Sequence, residues 1–216
     1  MARLSGPALT RARETIALYP EARSALVPLC HLAQEQDGWL TPEAMEHIAE
    51  LLDLTPVEVL GTASFYDMLK TEPVGRYLIG VCTNIACLLA GGYELLEHAE
   101  HSLGIPVGGT TPDGSISLEE VECIAYCDKA PCAVANYRYF GPLDAAGFDR
   151  LVGDLRAGRL EEDVPAHGTL SRVLRDGGLR VPAEQVVAER AADDENRRRR
   201  KEGLEPSQQG VTERPR

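Results

Sequence analysis

The sequence lacks any apolar run approaching the ~18 residues that a bilayer-spanning helix requires; stretches such as residues 79–81 and 88–90 are far too short. Direct membrane insertion is therefore not expected. An apolar export segment is missing as well, because Arg3, Arg11, Arg13 and Glu14 interrupt a helical pattern in the first twenty residues. A reducing cytoplasm is the expected compartment, which favours metal ligation over disulfides. Positive charge is scarce: 22 Lys and Arg against 34 Asp and Glu leave a net charge of −12, which excludes a phosphate-backbone binder and so a nucleic-acid partner. The basic run at residues 197–201 lies beside Asp193, Asp194, Glu195 and Glu202 and reads as a solvated tail.

Catalytic fingerprints are absent too. No G-x-G-x-x-G follows a predicted strand and no phosphate loop is present, so a flavin or nicotinamide site belongs on a partner. No C-x-x-C is present, which argues against thioredoxin-type exchange. His31, His47, His98, His101 and His167 are spread along the chain without the spacing to cysteine that Rieske-type ligation needs, and surface or helix-face roles are expected for them. Glu119, Glu120 and Glu122 read as solvated charges. With 44% hydrophobic and 26% charged residues, the 216-residue chain has the composition of a globular protein of one or two domains.

What the sequence does have is clustered cysteine. Of six cysteines, five (Cys82, Cys87, Cys123, Cys127 and Cys132) lie close together, and four form two pairs, Cys82-x4-Cys87 and Cys123-x3-Cys127. Disulfides suit small secreted domains that lack a core, unlike this chain. Zinc sites usually use tight C-x2-C knuckles, absent here, although a zinc-stabilised interaction module stays open. A C-x4-C pair with a second pair far downstream resembles the ligand pattern of [2Fe-2S] ferredoxins. Cys30, on an apolar helix face, reads as core.

From Leu9 to about Leu60 the pattern is helical. Thr41-Pro42 and Thr55-Pro56-Val57-Glu58 each place a capping hydroxyl before a proline at the first helical position. The helical period stops near Gly61, and a turn at Pro73-Val74-Gly75 opens a second unit. A strand is predicted at residues 76–81, ending at Cys82. A helix follows over 88–103, with Leu89, Tyr93, Leu96 and Ala99 on one side, so that the first cysteine pair sits in a strand-to-helix loop. Pro112-Asp113-Gly114 makes a tight turn, residues 115–122 a strand leading to Cys123, residues 132–136 another strand, and residues 144–155 a helix. If the strands before the two pairs run parallel, all four thiols share one rim of the sheet. Ala86, Ala125 and Ala130 let backbone approach the sulfurs, and Thr83 and Asn84 are expected to donate hydrogen bonds there. Short helices are possible at 172–179 and 183–192; the chain from Glu195 is expected to be flexible.

With these residues in view, the chain resembles the thioredoxin-like [2Fe-2S] ferredoxin family, which includes the E subunit of bacterial NADH-quinone oxidoreductase (respiratory complex I). The likeness rests on Tyr19-Pro20 with Ala25-Leu26-Val27-Pro28-Leu29, Gln34-Glu35-Gln36-Asp37-Gly38-Trp39-Leu40, Ala63-Ser64-Phe65-Tyr66, Cys82-Thr83 to Cys87, Thr111-Pro112-Asp113-Gly114, Leu118 to Cys123, and Cys127-x-x-Ala130-Pro131. It implies a helical N-terminal domain, over 1–72, and a thioredoxin-like [2Fe-2S] domain, over 73–158, in agreement with the α+β order strand-helix-strand-strand-helix read above; it carries nothing past Gly158, where residues 159–216 read from their composition as a largely flexible extension. It implies ligation of one [2Fe-2S] cluster by Cys82, Cys87, Cys123 and Cys127, with FMN and NADH on a partner chain with which the cluster exchanges an electron. It further implies other peripheral-arm subunits as partners and a location that is cytoplasmic and peripheral to the inner membrane. Small subunits of NAD-linked hydrogenases and formate dehydrogenases share the module. The family commonly has a glycine between its last two ligands, where this chain has Ile124, Ala125 and Tyr126; alanine is strained there if the position needs positive φ. Cys132 reads as packing.

Overall fold

Threonine caps organise the first unit as their spacing predicts. In the computed structural model, which describes residues 3–169 and 183–202, Thr41 Oγ1 accepts from Ala44 N at 3.2 Å. Thr55 and Glu58 close a reciprocal capping box, with Thr55 N donating to Glu58 at 2.9 Å and Glu58 N donating to Thr55 Oγ1 at 3.3 Å. The helices are α1 (Gly6–Ala17), α2 (Leu26–Asp37, after a 3₁₀ turn at Ala22–Ala25), α3 (Pro42–Leu52) and α4 (Pro56–Phe65). Leu29, Cys30, Leu40, Ile48, Leu52 and Val59 are all fully buried in this bundle. The buried amide of Gln34 donates to Met68 O and accepts from Lys70 N, both at 2.8 Å, which ties the chain leaving α4 back onto α2.

Two expectations for this unit change. The helical period does not stop at Gly61 but continues to Phe65, because Val59 and Ala63, four residues apart, bury on one stripe. The helix expected over 183–192 extends as α8 (Ala183–Lys201), into the stretch expected to be flexible. Arg197–Asp193 and Arg198–Glu195 ion pairs line its polar side, Val186 is buried, and Arg190 donates to Ile16 O. The short helix expected at 172–179 lies outside the described residues, as does the chain beyond residue 202. By internal contacts, Met1–Thr71 and Arg172–Arg216 form one compact unit and Glu72–Ser171 the other.

The second unit is built on β1 (Tyr77–Cys82), α5 (Ile85–Leu89), α6 (Gly92–Leu103), β2 (Ile116–Val121), β3 (Ala133–Ala135), β4 (Arg138–Phe140) and α7 (Ala145–Arg156). Its sheet has the order β2-β1-β3-β4. β1 and β2 run parallel, with Cys82 opposite Val121, and α5 and α6 supply the crossover that a parallel pair needs. β3 runs antiparallel to β1, with Val81 opposite Ala133, and β4 completes a hairpin with β3. Alternate residues Tyr77, Ile79 and Val81, with Ile116, Leu118, Ala133 and Ala135, pack against Leu95, Leu96, Ala99 and Leu103 of α6 and Phe148, Leu151, Val152 and Leu155 of α7. The chain does not leave this core at Gly158, since Leu160 and Val164 pack against it.

The single helix expected over 88–103 is two. Gly91 at φ +96 breaks it and shifts the phase, so Leu89 and Tyr93 are 83% and 50% exposed while the buried stripe runs through Gly92, Leu95, Leu96, Ala99 and Leu103. Tyr139 and Phe140 belong to β4, reached through a tight turn in which Asn136 and Tyr137 both have positive φ. Asn136 secures that turn: its side-chain oxygen accepts from Leu78 N at 2.8 Å, and its amide donates to Arg76 O at 2.9 Å and Pro165 O at 2.8 Å. Substituting Asn136→Ala orphans these backbone groups and should cost about 3 kcal/mol in denaturant unfolding of the metal-free protein.

Candidate metal centre

Because Tyr77, Ile79 and Val81 face the helices, Gly80 and Cys82 face the other side of the sheet. The same alternation in β3 turns Val134, and Cys132 just before it, to that side. A Cβ on Gly80 would lie 2.6 Å from Val121 and 3.2 Å from Val134, so glycine leaves this face room to close. Cys87 comes from α5, whose start is capped by Asn84 Oδ1 accepting from Ile85 N at 3.0 Å. The sulfurs of Cys82, Cys87 and Cys132 all lie within 4.8 Å of one another and are buried, with Cys87 and Cys132 3.5 Å apart. Val121, Ile124, Tyr126 and Ala130 cover them. Cys123 and Cys127, in the loop after β2, are exposed and 3.7 Å apart.

The four cysteines singled out by spacing thus arrive as two pairs at the carboxyl ends of adjacent parallel strands. The tight buried group, however, combines the first pair with Cys132, a residue read as packing. The two loops are joined at Cys82, whose sulfur meets the backbone N–H groups of Asn84, in its own loop, and Ile124, in the other. Burial raises the Cys82 pKa, and the neighbouring Cys87 thiol adds to the rise, against the lowering effect of those two amides. Cys127 is raised mainly by its hydrogen bond with Cys123, and Cys132 is pushed up to about 12, first by burial and then by Cys87 and Cys82. Thiols this crowded resist ionising together unless a cation neutralises them, which is the donor chemistry an iron-sulfur group requires.

Contrary to expectation, Thr83 and Asn84 do not aim their side-chain donors at sulfur. Thr83 donates to Glu120 and Asn84 to Glu122, each at 2.6 Å, so these glutamates clamp the first cysteine loop to the end of β2 rather than standing free in solvent. Backbone amides take the sulfur-facing role instead. Of the histidines, His47 and His98 lie on helix faces as expected, His98 pairing with Asp149 at 3.0 Å, whereas His167 is buried outside any helix. Among the described residues none joins a metal-competent group. Among them, too, no helix is long and apolar enough to cross a membrane.

Two backbone positions shape the site without supplying a ligand. A Cβ on Gly92 would stand 2.9 Å from the Cys82 carbonyl oxygen and from the Cys87 backbone, so only glycine lets α6 start this close to the first loop. Gly92→Ala should lower iron content per chain after reconstitution while far-UV circular dichroism stays unchanged. Ala125 adopts φ +58, the left-handed conformation in which alanine is strained. Ala125→Gly should accordingly stabilise the metal-free protein by about 1 kcal/mol, read as a rise in its denaturation midpoint.

Residues 12–156 match the family model for thioredoxin-like [2Fe-2S] ferredoxins. The chain is 42% identical over 146 residues to the E subunit of NADH-quinone oxidoreductase from Mycobacterium tuberculosis, a match covering 68% of this chain and 58% of that one. It is 42% identical over 141 residues to the second E subunit of NADH-quinone oxidoreductase from Rhizobium meliloti (65% and 84% covered) and 40% over 158 residues to NADH-quinone oxidoreductase subunit 2 of Thermus thermophilus (72% and 87%). Among solved structures, an NAD+-reducing [NiFe]-hydrogenase in the air-oxidised state matches with TM-score 0.55 at 29% identity, covering 64% of this chain and 24% of that one. On the match of the family model, supported by these relatives, the chain belongs to the thioredoxin-like [2Fe-2S] ferredoxins.

Proposed function

We propose that Cys82, Cys87, Cys123 and Cys127 hold one [2Fe-2S] cluster and that the chain is an electron-transfer component of an NADH-quinone oxidoreductase. The observation that carries this reading is the parallel pairing of β1 and β2, which delivers both cysteine pairs to one rim, with Ile124 N from the second loop on the sulfur of the first. When bound, such a cluster takes up and releases single electrons at a potential set by hydrogen bonds to sulfur, burial and nearby charge. The residues of this chain set those terms. Asn84 N and Ile124 N favour the Cys82 thiolate, Tyr126 and Val121 shield the buried side, and the exposed Cys123 and Cys127 keep the other side within reach of a partner.

That partner is the flavin- and NADH-binding subunit of the same complex, since the sequence carries no dinucleotide fingerprint of its own; FMN and NADH reside there, and other peripheral-arm subunits complete the assembly on the cytoplasmic side of the inner membrane. The catalytic reaction belongs to the complex, and this chain contributes electron transfer. The names of relatives at 40–42% identity support this assembly over an NAD-linked hydrogenase, to which the structural likeness is 29% identical.

Protein purified without oxygen should be reddish-brown with about two irons and two sulfides per chain. Colourless protein with one zinc would overturn the reading. Cys123→Ser should lose the iron, whereas Cys30→Ser should keep it, because Cys30 lies in the helical unit with its thiol pushed up to about 12 by burial. Equal iron loss in both would refute the ligand assignment.

A further inference from the structure

Cys132 is placed by strand pairing. It directly precedes β3, one step beyond the Val81 to Ala133 pair of the antiparallel ladder, and its carbonyl accepts from Cys82 N at 3.0 Å. Alternation then turns both side chains to the sheet face away from the helices. Cys87 reaches the same spot from α5, its sulfur 3.5 Å from that of Cys132. Three soft donors therefore converge in a buried, apolar setting, an arrangement suited to thiolate-binding metals.

We propose that Cys132 is a reserve cluster ligand, able to take the place of Cys87 on iron together with Cys82, Cys123 and Cys127. The inference rests on the four-ligand reading above. Cys87 is the ligand it replaces because the two sulfurs are in contact, so a side-chain rotation and a small loop adjustment bring one to the position of the other. The exchange is ligand for ligand. The iron bond to the Cys87 sulfur would break and that thiolate would take up a proton, while the Cys132 thiol would lose a proton and its sulfur bond iron, so the core would keep four thiolates with no electron transferred; in a Cys87 variant Cys132 would fill the fourth position directly.

The test compares Cys132→Ala, Cys87→Ala and the double variant, each reconstituted anaerobically with ferrous iron and sulfide and read by iron and sulfide content and by the electron paramagnetic resonance of the reduced protein. Cys132→Ala should retain its cluster, Cys87→Ala should retain one with altered resonance, and the double variant should lose it. Loss from Cys87→Ala as complete as from the double variant overturns the reserve role and leaves the four-ligand reading standing. Loss from Cys132→Ala alone, or retention by the double variant, overturns both. Should circular dichroism find Cys87→Ala unfolded, a second arm decides, using the metal-free Cys123→Ala/Cys127→Ala variant titrated with cadmium. Thiolate-to-cadmium absorption that saturates at one ion per chain and falls when Cys132→Ala is added supports the three-sulfur site; absorption indifferent to Cys132 overturns it.

Discussion

The constraint on which the site depends is the two-residue alternation of β1 and β3. One set of side chains, Tyr77, Ile79, Val81, Ala133 and Ala135, enters the apolar core beneath α6 and α7; the other set, Gly80, Cys82, Cys132 and Val134, turns away from it. A one-residue slip of β1 would send the Cys82 thiol into the helix-packed core and Ile79 and Val81 out of it, and a slip of β3 would turn Cys132 inward in place of Ala133, so hydrophobic burial fixes the register and the register fixes the sulfurs. The burial of Ile79, Val81, Ile116 and Leu118 is therefore the reason two sequence-distant cysteines face the same space. Asn136 adds to this by holding the turn after β3 against β1, which keeps a three-residue strand from fraying.

Around that frame the chain positions backbone more carefully than side chains. The Cys82 sulfur receives amides from both loops, while the polar side chains that flank it, Thr83 and Asn84, are spent on Glu120 and Glu122. This division has a physical basis. A carboxylate left unpaired beside a group of thiolates would oppose their ionisation, and a hydrogen-bonded one has its charge partly satisfied and directed elsewhere. In a chain of net charge −12, fixing two acids near the centre also fixes the shape of the first loop.

Much of this was legible in the sequence because the signals are local. Thr41 and Thr55 announce their helices by a hydroxyl, a proline and a glutamate within four residues, and the strands leading to Cys82 and Cys123 announce themselves by β-forming runs. The strain anticipated at Ala125, should its position need positive φ, is present at φ +58. What stayed hidden was long-range or conformational. The break between α5 and α6 depends on the positive φ of Gly91, which looks in sequence like any small residue inside a helix. β4 depends on a turn that puts Tyr137 in the left-handed region, where tyrosine gives no warning. Cys132 could have been found by counting back from Ala133 and Ala135 as inward positions, yet alternation over three residues is too short to stand out.

The burial of the two cysteine pairs is unequal, and the inequality is itself informative. Cys82 and Cys87 are held by elements with deep roots, a central strand and a helix pressed against Gly92, whereas Cys123 and Cys127 sit in a surface loop that opens a single 3₁₀ turn. A rigid buried pair sets the position of whatever the thiols hold, and a surface pair can close over it without rebuilding the core. Such an arrangement suits the proposed electron exchange with another protein, because a centre sealed on every side would be too far from a partner, and one open on every side would lose its ligands to water and oxidants. The third buried sulfur, Cys132, stands on the rigid side, where the geometry is already set.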